Sequence, residues 1–106
     1  MDLRKIWTEH QRTTFPPTAL GMQIDGLPLV KLDALAGAAL TASLRDDGVP
    51  RPLPEARQSD LRRAVELAVR ARSQLPLDAA TRAYLETLIC LAGAVLERCR
   101  RTGGPT

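Results

Sequence analysis

A chain of 106 residues fits one domain with one modest hydrophobic core. It has a single Trp, a single Tyr and a single Phe against 44% hydrophobic residues, so that core must be built mainly from Leu, Val, Ile and Ala. The net charge of +3 is too small to call for nucleic acid by itself, and the basic residues are almost all Arg, Lys5 and Lys31 being the only lysines.

The N-terminal segment from Asp2 to about Gln11 carries Leu3, Ile6, Trp7 and His10 at helical spacing, with Asp2 as N-cap. No apolar run of signal-peptide length follows Met1, and no stretch is expected to reach the ~20 apolar residues of a membrane span. Phe15-Pro16-Pro17-Thr18 breaks the helix. Residues 22–30 read as a short β-hairpin around Asp25-Gly26, a pair suited to a type I′ turn. That register sets Ile24 opposite Leu27 and Met22 opposite Leu29, all facing one side, while Pro28 restricts its strand to an edge.

Leu32 to Leu44 reads as a helix with Leu32, Leu35, Ala36, Ala39, Leu40, Ser43 and Leu44 on its inner stripe. Gly37 inside it costs ~1 kcal/mol against Ala and suggests a tight helix crossing. Asp46-Asp47-Gly48 ends the helix, and Val49 to Pro54 is a stiff, Pro-rich connector. From Pro54 the chain forms a helical hairpin joined by Leu75-Pro76-Leu77-Asp78. Leu61, Ala64, Val65, Ala68, Ala71 and Leu75 face inward on its first helix, and Arg62, Glu66 and Arg70 are spaced to pair outside, worth ~0.3–0.5 kcal/mol each. Asp78 caps the last helix, whose wide apolar arc runs from Tyr84 and Leu85 to Cys99. The whole predicts a mainly α fold: a bundle of three to four helices with one short hairpin, spanning 1–101, and a disordered tail over 102–106.

Reactive groups are few. His10 is the only histidine, which removes most zinc sites and most Ser-His or Cys-His pairs, and a half-buried structural role beside Trp7 is favoured. There is no dinucleotide or phosphate-binding glycine motif, no CxxC and no HExxH. Asp25, Asp33, Asp46 and Asp47 each have a local task, in the turn, at a helix start or before Gly48, so no catalytic residue, metal ligand or cofactor is expected. Cys90 and Cys99 lie on opposite sides of one helix and cannot bridge within it, which suits a reducing cytoplasm. Arg57 and Arg72 fall within an apolar arc and are expected to snorkel or to pair with Asp33, Asp46 or Asp47, the alternative being that they bind an acidic ligand.

Two surfaces emerge as candidates. Ala83, Cys90 and Ala94 form a low-charge seam, and Tyr84 and Leu91 mark apolar surface that a second chain would cover. Arg62, Arg63, Arg70, Arg98 and Arg101 form a basic alternative, without aromatics for base stacking. The expected function is a non-catalytic protein-interaction module of a bacterial cytoplasm, a small regulator, adaptor or immunity-type protein that forms a homodimer. The alternatives are a nucleic-acid-associated protein using the arginine faces, or a small-ligand carrier or enzyme. Genes rich in Arg, Ala, Gly and Pro codons point to a GC-rich bacterial genome.

Overall fold

A computed structural model describes residues 2–102; the expected tail falls outside these from residue 103 onward. Helix α1 spans Leu3–Arg12 and α2 Leu29–Leu44, with a short 3-10 turn at Pro17–Ala19 between them. Helix α3 spans Glu55–Gln74 and α4 Ala79–Thr102. Strands β1 (Gln23–Ile24) and β2 (Leu27–Pro28) form one antiparallel pair. The mainly α fold with one short hairpin is thus the observed architecture.

Local chemistry sets most boundaries. Asp2 caps α1, accepting a hydrogen bond from the Lys5 backbone N–H at 3.2 Å. At the hairpin Ile24 pairs with Leu27, and the Leu29 N–H donates to the Met22 carbonyl at 2.9 Å, which is the expected register. Asp25 and Gly26 both have positive φ (51° and 80°), as a type I′ turn requires. Helix α2 begins earlier than periodicity suggests, at Leu29 and not Leu32. Pro28, with φ −59°, closes β2 and serves as the first cap of the helix, so strand passes to helix with no loop. Asp33 is therefore inside the helix and does not start it.

Helix α4 packs against α1, α2 and α3, and α2 packs against α3. The core consists mainly of leucines and alanines from α2, α3 and α4, among them Leu32, Leu40, Leu61, Ala68, Leu88 and Leu91, joined by Trp7 of α1 and Ile24 of the hairpin. Burying each such leucine is worth ~1.5–3 kcal/mol. The expected inward residues of α3 are buried or half-buried, and Leu67 joins them. Leu35 does not: it is 38% exposed and sits on the outer edge of α2. Helix α4 is long and apolar enough, by length and composition, to cross a membrane, contrary to the sequence expectation. In this fold Leu85, Leu88, Leu91, Ala92 and Val95 on that helix are instead packed into the core.

The connector between α2 and α3 is held by side chains. Buried Ser43 donates to the Arg51 carbonyl at 2.7 Å and accepts from the Arg51 N–H at 2.9 Å. Arg51 then binds both carboxylate oxygens of Asp47, at 3.0 and 2.6 Å. Leu53 is buried, and its N–H donates to Cys99 Sγ at 3.4 Å. Further on, Arg62 pairs with Glu55 at 3.0 Å and Arg70 with Asp25, so the expected Arg62–Glu66–Arg70 ladder is replaced by partners off the four-residue spacing.

Two glycines differ in kind. Gly48 has φ +72°, and a Cβ there would lie 2.6 Å from the Arg4 Cα, so the loop after α2 presses directly on α1. Gly37 has open space around it and marks no tight crossing among the described residues. Gly48→Ala should therefore cost ~1–3 kcal/mol in urea unfolding. Gly37→Ala should instead stabilise the fold, by up to ~1 kcal/mol.

Candidate functional site

The single Trp, His, Tyr and Phe of the chain gather in one place. Trp7 and His10 come from α1, Phe15 from the loop after it, and Tyr84 from the second turn of α4. The His10 ring lies 4.9 Å from the Tyr84 ring and 6.2 Å from that of Trp7, and Phe15 meets Tyr84 edge-on at 5.5 Å. Polar tips are satisfied. Trp7 Nε1 donates to the Arg45 carbonyl at 2.7 Å, tying α1 to the end of α2. Tyr84 donates its hydroxyl hydrogen to Asp33 Oδ1 at 2.8 Å.

This aromatic wall borders a groove of about 580 Å³ between α1 and α4. Helix α1 contributes Ile6, Glu9 and His10, with Thr13 just past its end. Helix α4 contributes Ala80, Ala83, Tyr84, Glu86, Thr87 and Cys90. The i, i+3, i+4 spacing on both sides means one face of each helix lines the groove, over about two turns of α1 and nearly three of α4. Its floor is made of small side chains, Ala80, Ala83, Thr87 and Cys90, and one glutamate stands on each helix.

A second polar lock fixes where α4 begins. Asp78 Oδ1 accepts from the Thr81 N–H at 2.8 Å, as an N-cap does, while Oδ2 accepts from the Thr18 hydroxyl at 2.6 Å. Those bonds hold the Asp78 carboxyl below the usual carboxylate range, the Thr18 bond contributing most. The loop after α1 is thereby fastened to the start of α4, which positions the two walls.

Titration in the cluster follows burial. Desolvation lowers the His10 pKa below its ordinary 6.5 and outweighs the opposing attraction of Asp33. Burial likewise raises the Asp33 carboxyl above its ordinary value, against the Tyr84 hydrogen bond and the His10 charge, which pull it down. Burial and Asp33 together push the Tyr84 phenol up, keeping it a hydrogen donor at neutral pH.

Of the expected interaction residues, Ala83 and Cys90 line the groove, Cys90 being half-buried and not openly exposed. Ala94 is half-buried but not among the groove residues. Tyr84 and Leu91 must be corrected as uncovered surface. Leu91 is fully buried in the core, and Tyr84 is 8% exposed because His10, Phe15 and Asp33 close over it. The helical wheel counted the apolar width of α4 without α1, and α1 occupies that side.

The basic candidates do not converge. Arg62 and Arg70 are engaged by Glu55 and Asp25, and Arg101 shares Glu97 with Arg100 at 3.2 and 2.8 Å. Arg63 and Arg98 are exposed. Arg57 is exposed and Arg72 half-buried. Neither takes Asp33 or Asp47, whose partners are Tyr84 and Arg51. Sequence reasoning missed the Asp33–Tyr84 bond, formed across 51 positions of chain with no local signal, and the groove wall of Ile6 and Thr13. Among the described residues, no group of three or more His, Cys, Asp or Glu is placed to hold a metal ion. No family model, curated protein or solved structure matches the chain.

Two outcomes test the cluster. Tyr84→Phe should cost ~1–3 kcal/mol in chemical denaturation, since it leaves the half-buried Asp33 carboxylate without its donor. His10, with its folded pKa lowered, contributes stability that is present above 6.5 and lost as pH falls through the lower folded value. Thermal melts should therefore show stability declining below pH 6.5, and His10→Gln should flatten that part of the profile.

Proposed function

We propose that this chain is a non-catalytic protein-interaction module, a small regulator, adaptor or immunity-type protein, whose partner docks in the α1–α4 groove. The supporting observation is the shape and lining of that groove: two helix faces about two to three turns long, with a floor of Ala80, Ala83, Thr87 and Cys90. Small side chains let a third helix approach closely, and a helix laid between two others is a common recognition mode. Glu9 and Glu86 stand on opposite walls, and neither pairs with another described residue. The segment that fits is an amphipathic helix with small apolar residues on one side and Lys or Arg flanking them.

The polar chemistry nearby supports a binding reading over a catalytic one. Asp33 is occupied by Tyr84, and the His10 ring is held between Trp7 and Tyr84 as part of the packing. Self-association belongs to this reading as well, through α4 or the free edge of the hairpin.

Capture from lysate of the native host, followed by mass spectrometry, tests the groove. Wild type and an Arg63→Glu control should retain a common partner, and Ala83→Arg, which fills the floor and adds a cation, should lose it. Capture indifferent to Ala83→Arg, or no specific partner at all, counts against the proposal.

A further inference from the structure

Helix α1 is attached to the bundle through few residues. Trp7 is its one buried side chain, and Leu3 and Ile6 are only partly buried. Every other member of the buried core cluster lies between Ala19 and Cys99. Thr13, in extended backbone, and Thr14, both exposed, join α1 to buried Pro16. Beyond Pro16 the chain is fastened where Thr18 donates to Asp78. The break between the helix and its anchor is therefore two residues of open chain.

The bond that holds Trp7 is made to a strained peptide. Arg45, just past the end of α2, has φ +49° and ψ −134°. That φ is the one an ordinary left-handed helix cap adopts, with ψ near +47°, so the Arg45–Asp46 peptide is turned over by about 180° from the cap arrangement. A residue with a side chain is strained in this region, where glycine is the usual occupant. The turned carbonyl accepts from Trp7 Nε1 at 2.7 Å. One hydrogen bond thus keeps α1 on the bundle and keeps that peptide turned over.

We infer that α1 is a hinged arm that leaves and rejoins the α2–α4 bundle as a unit, with the Arg45–Asp46 peptide as its latch. This rests on the reading of the groove as a docking site and names how that site is opened and closed. With the arm in place, Ile6, Glu9, His10 and Thr13 stand opposite α4. With the arm released, the peptide turns back to a relaxed cap and that whole wall is lost. The strain offsets part of what Trp7 gains by burial and by its hydrogen bond, so the two forms lie closer in energy than the contacts of Trp7 alone would set them. A peptide has two discrete orientations here, so the wall is present or absent and does not bend by degrees.

Amide hydrogen exchange on the full chain, in urea below the unfolding transition, tests this, with circular dichroism to show that each variant is folded. The amides from Trp7 to Arg12 should open together, with one common equilibrium constant at least about tenfold larger than that for Leu88 and Leu91, and with a weaker dependence on urea. Arg45→Gly relieves the peptide and should make that opening ~fivefold rarer. Trp7→Phe keeps a ring but loses the donor, and should make the opening ~tenfold more frequent. Without the donor the peptide relaxes while the arm is still in place. Arg45→Gly added to Trp7→Phe should then change the opening by no more than about twofold. Amides of α1 that open only together with the α4 core overturn the arm, and so does protection that falls off residue by residue along α1. An Arg45→Gly effect of equal size in both backgrounds, or absent from both, overturns the latch. No partner enters these measurements. A fixed α1 would leave the groove standing as a permanently formed docking site, and a groove that captures nothing would leave the arm standing.

Discussion

Everything else in this protein depends on the burial of α4. Helices α1, α2 and α3 each pack against it, and its Leu85, Leu88, Leu91, Ala92 and Val95 lie in the core that the four helices share. With so few aromatic residues, that core is made of leucines meshing with alanines such as Ala36, Ala39, Ala64, Ala68 and Ala71. Small residues bring helix axes close together and leave little play in where the next side chain goes. The helical hairpin of α3 and α4 is the frame, and α2 completes one side of it. Helix α1 is left to cover the remaining flank of α4, and its partial cover is what creates a groove.

Between the helices, the chain is directed by side chains bonding to backbone. The Ser43–Arg51 exchange, with Asp47 holding the arginine, turns a Pro-rich segment into a fixed strap. Asp78 caps α4 with one oxygen and receives Thr18 with the other. Trp7 fills core space with its ring and reaches the Arg45 carbonyl with its nitrogen. These bonds satisfy polar groups that would otherwise be costly at half-buried positions, and they also decide how the walls of the groove face each other.

What was legible in the sequence was local. Asp25-Gly26 specified its turn, the Asp2 and Asp78 caps marked helix starts, and the apolar stripes of α3 and α4 marked the core, because each follows from neighbours within a few positions. What was not legible depends on residues far apart. A wheel drawn for α4 alone shows Tyr84 and Leu91 as surplus surface, because nothing in the local pattern says that α1 folds back on them. Arg70 finds Asp25 across 45 positions and so leaves the four-residue ladder expected on α3. The seam at Ala83 and Cys90 was found because a break in charge on one helix face can be read from spacing alone, although the opposite wall that makes it a groove cannot.

The shortness of α1 carries a consequence for the groove. Ten residues are too few to hold a helix in water unaided, so α1 is helical because Trp7, the aromatic cluster and the close fit of Gly48 hold it on the bundle. One wall of the site is thus conditional, and the site exists only in the docked fraction of molecules. The observed affinity of any ligand is its intrinsic affinity multiplied by that fraction, and a ligand that bridges both walls in turn secures the helix. Selection on the contacts of Trp7, buried and outside the groove lining, would then tune recognition as directly as selection on the groove itself.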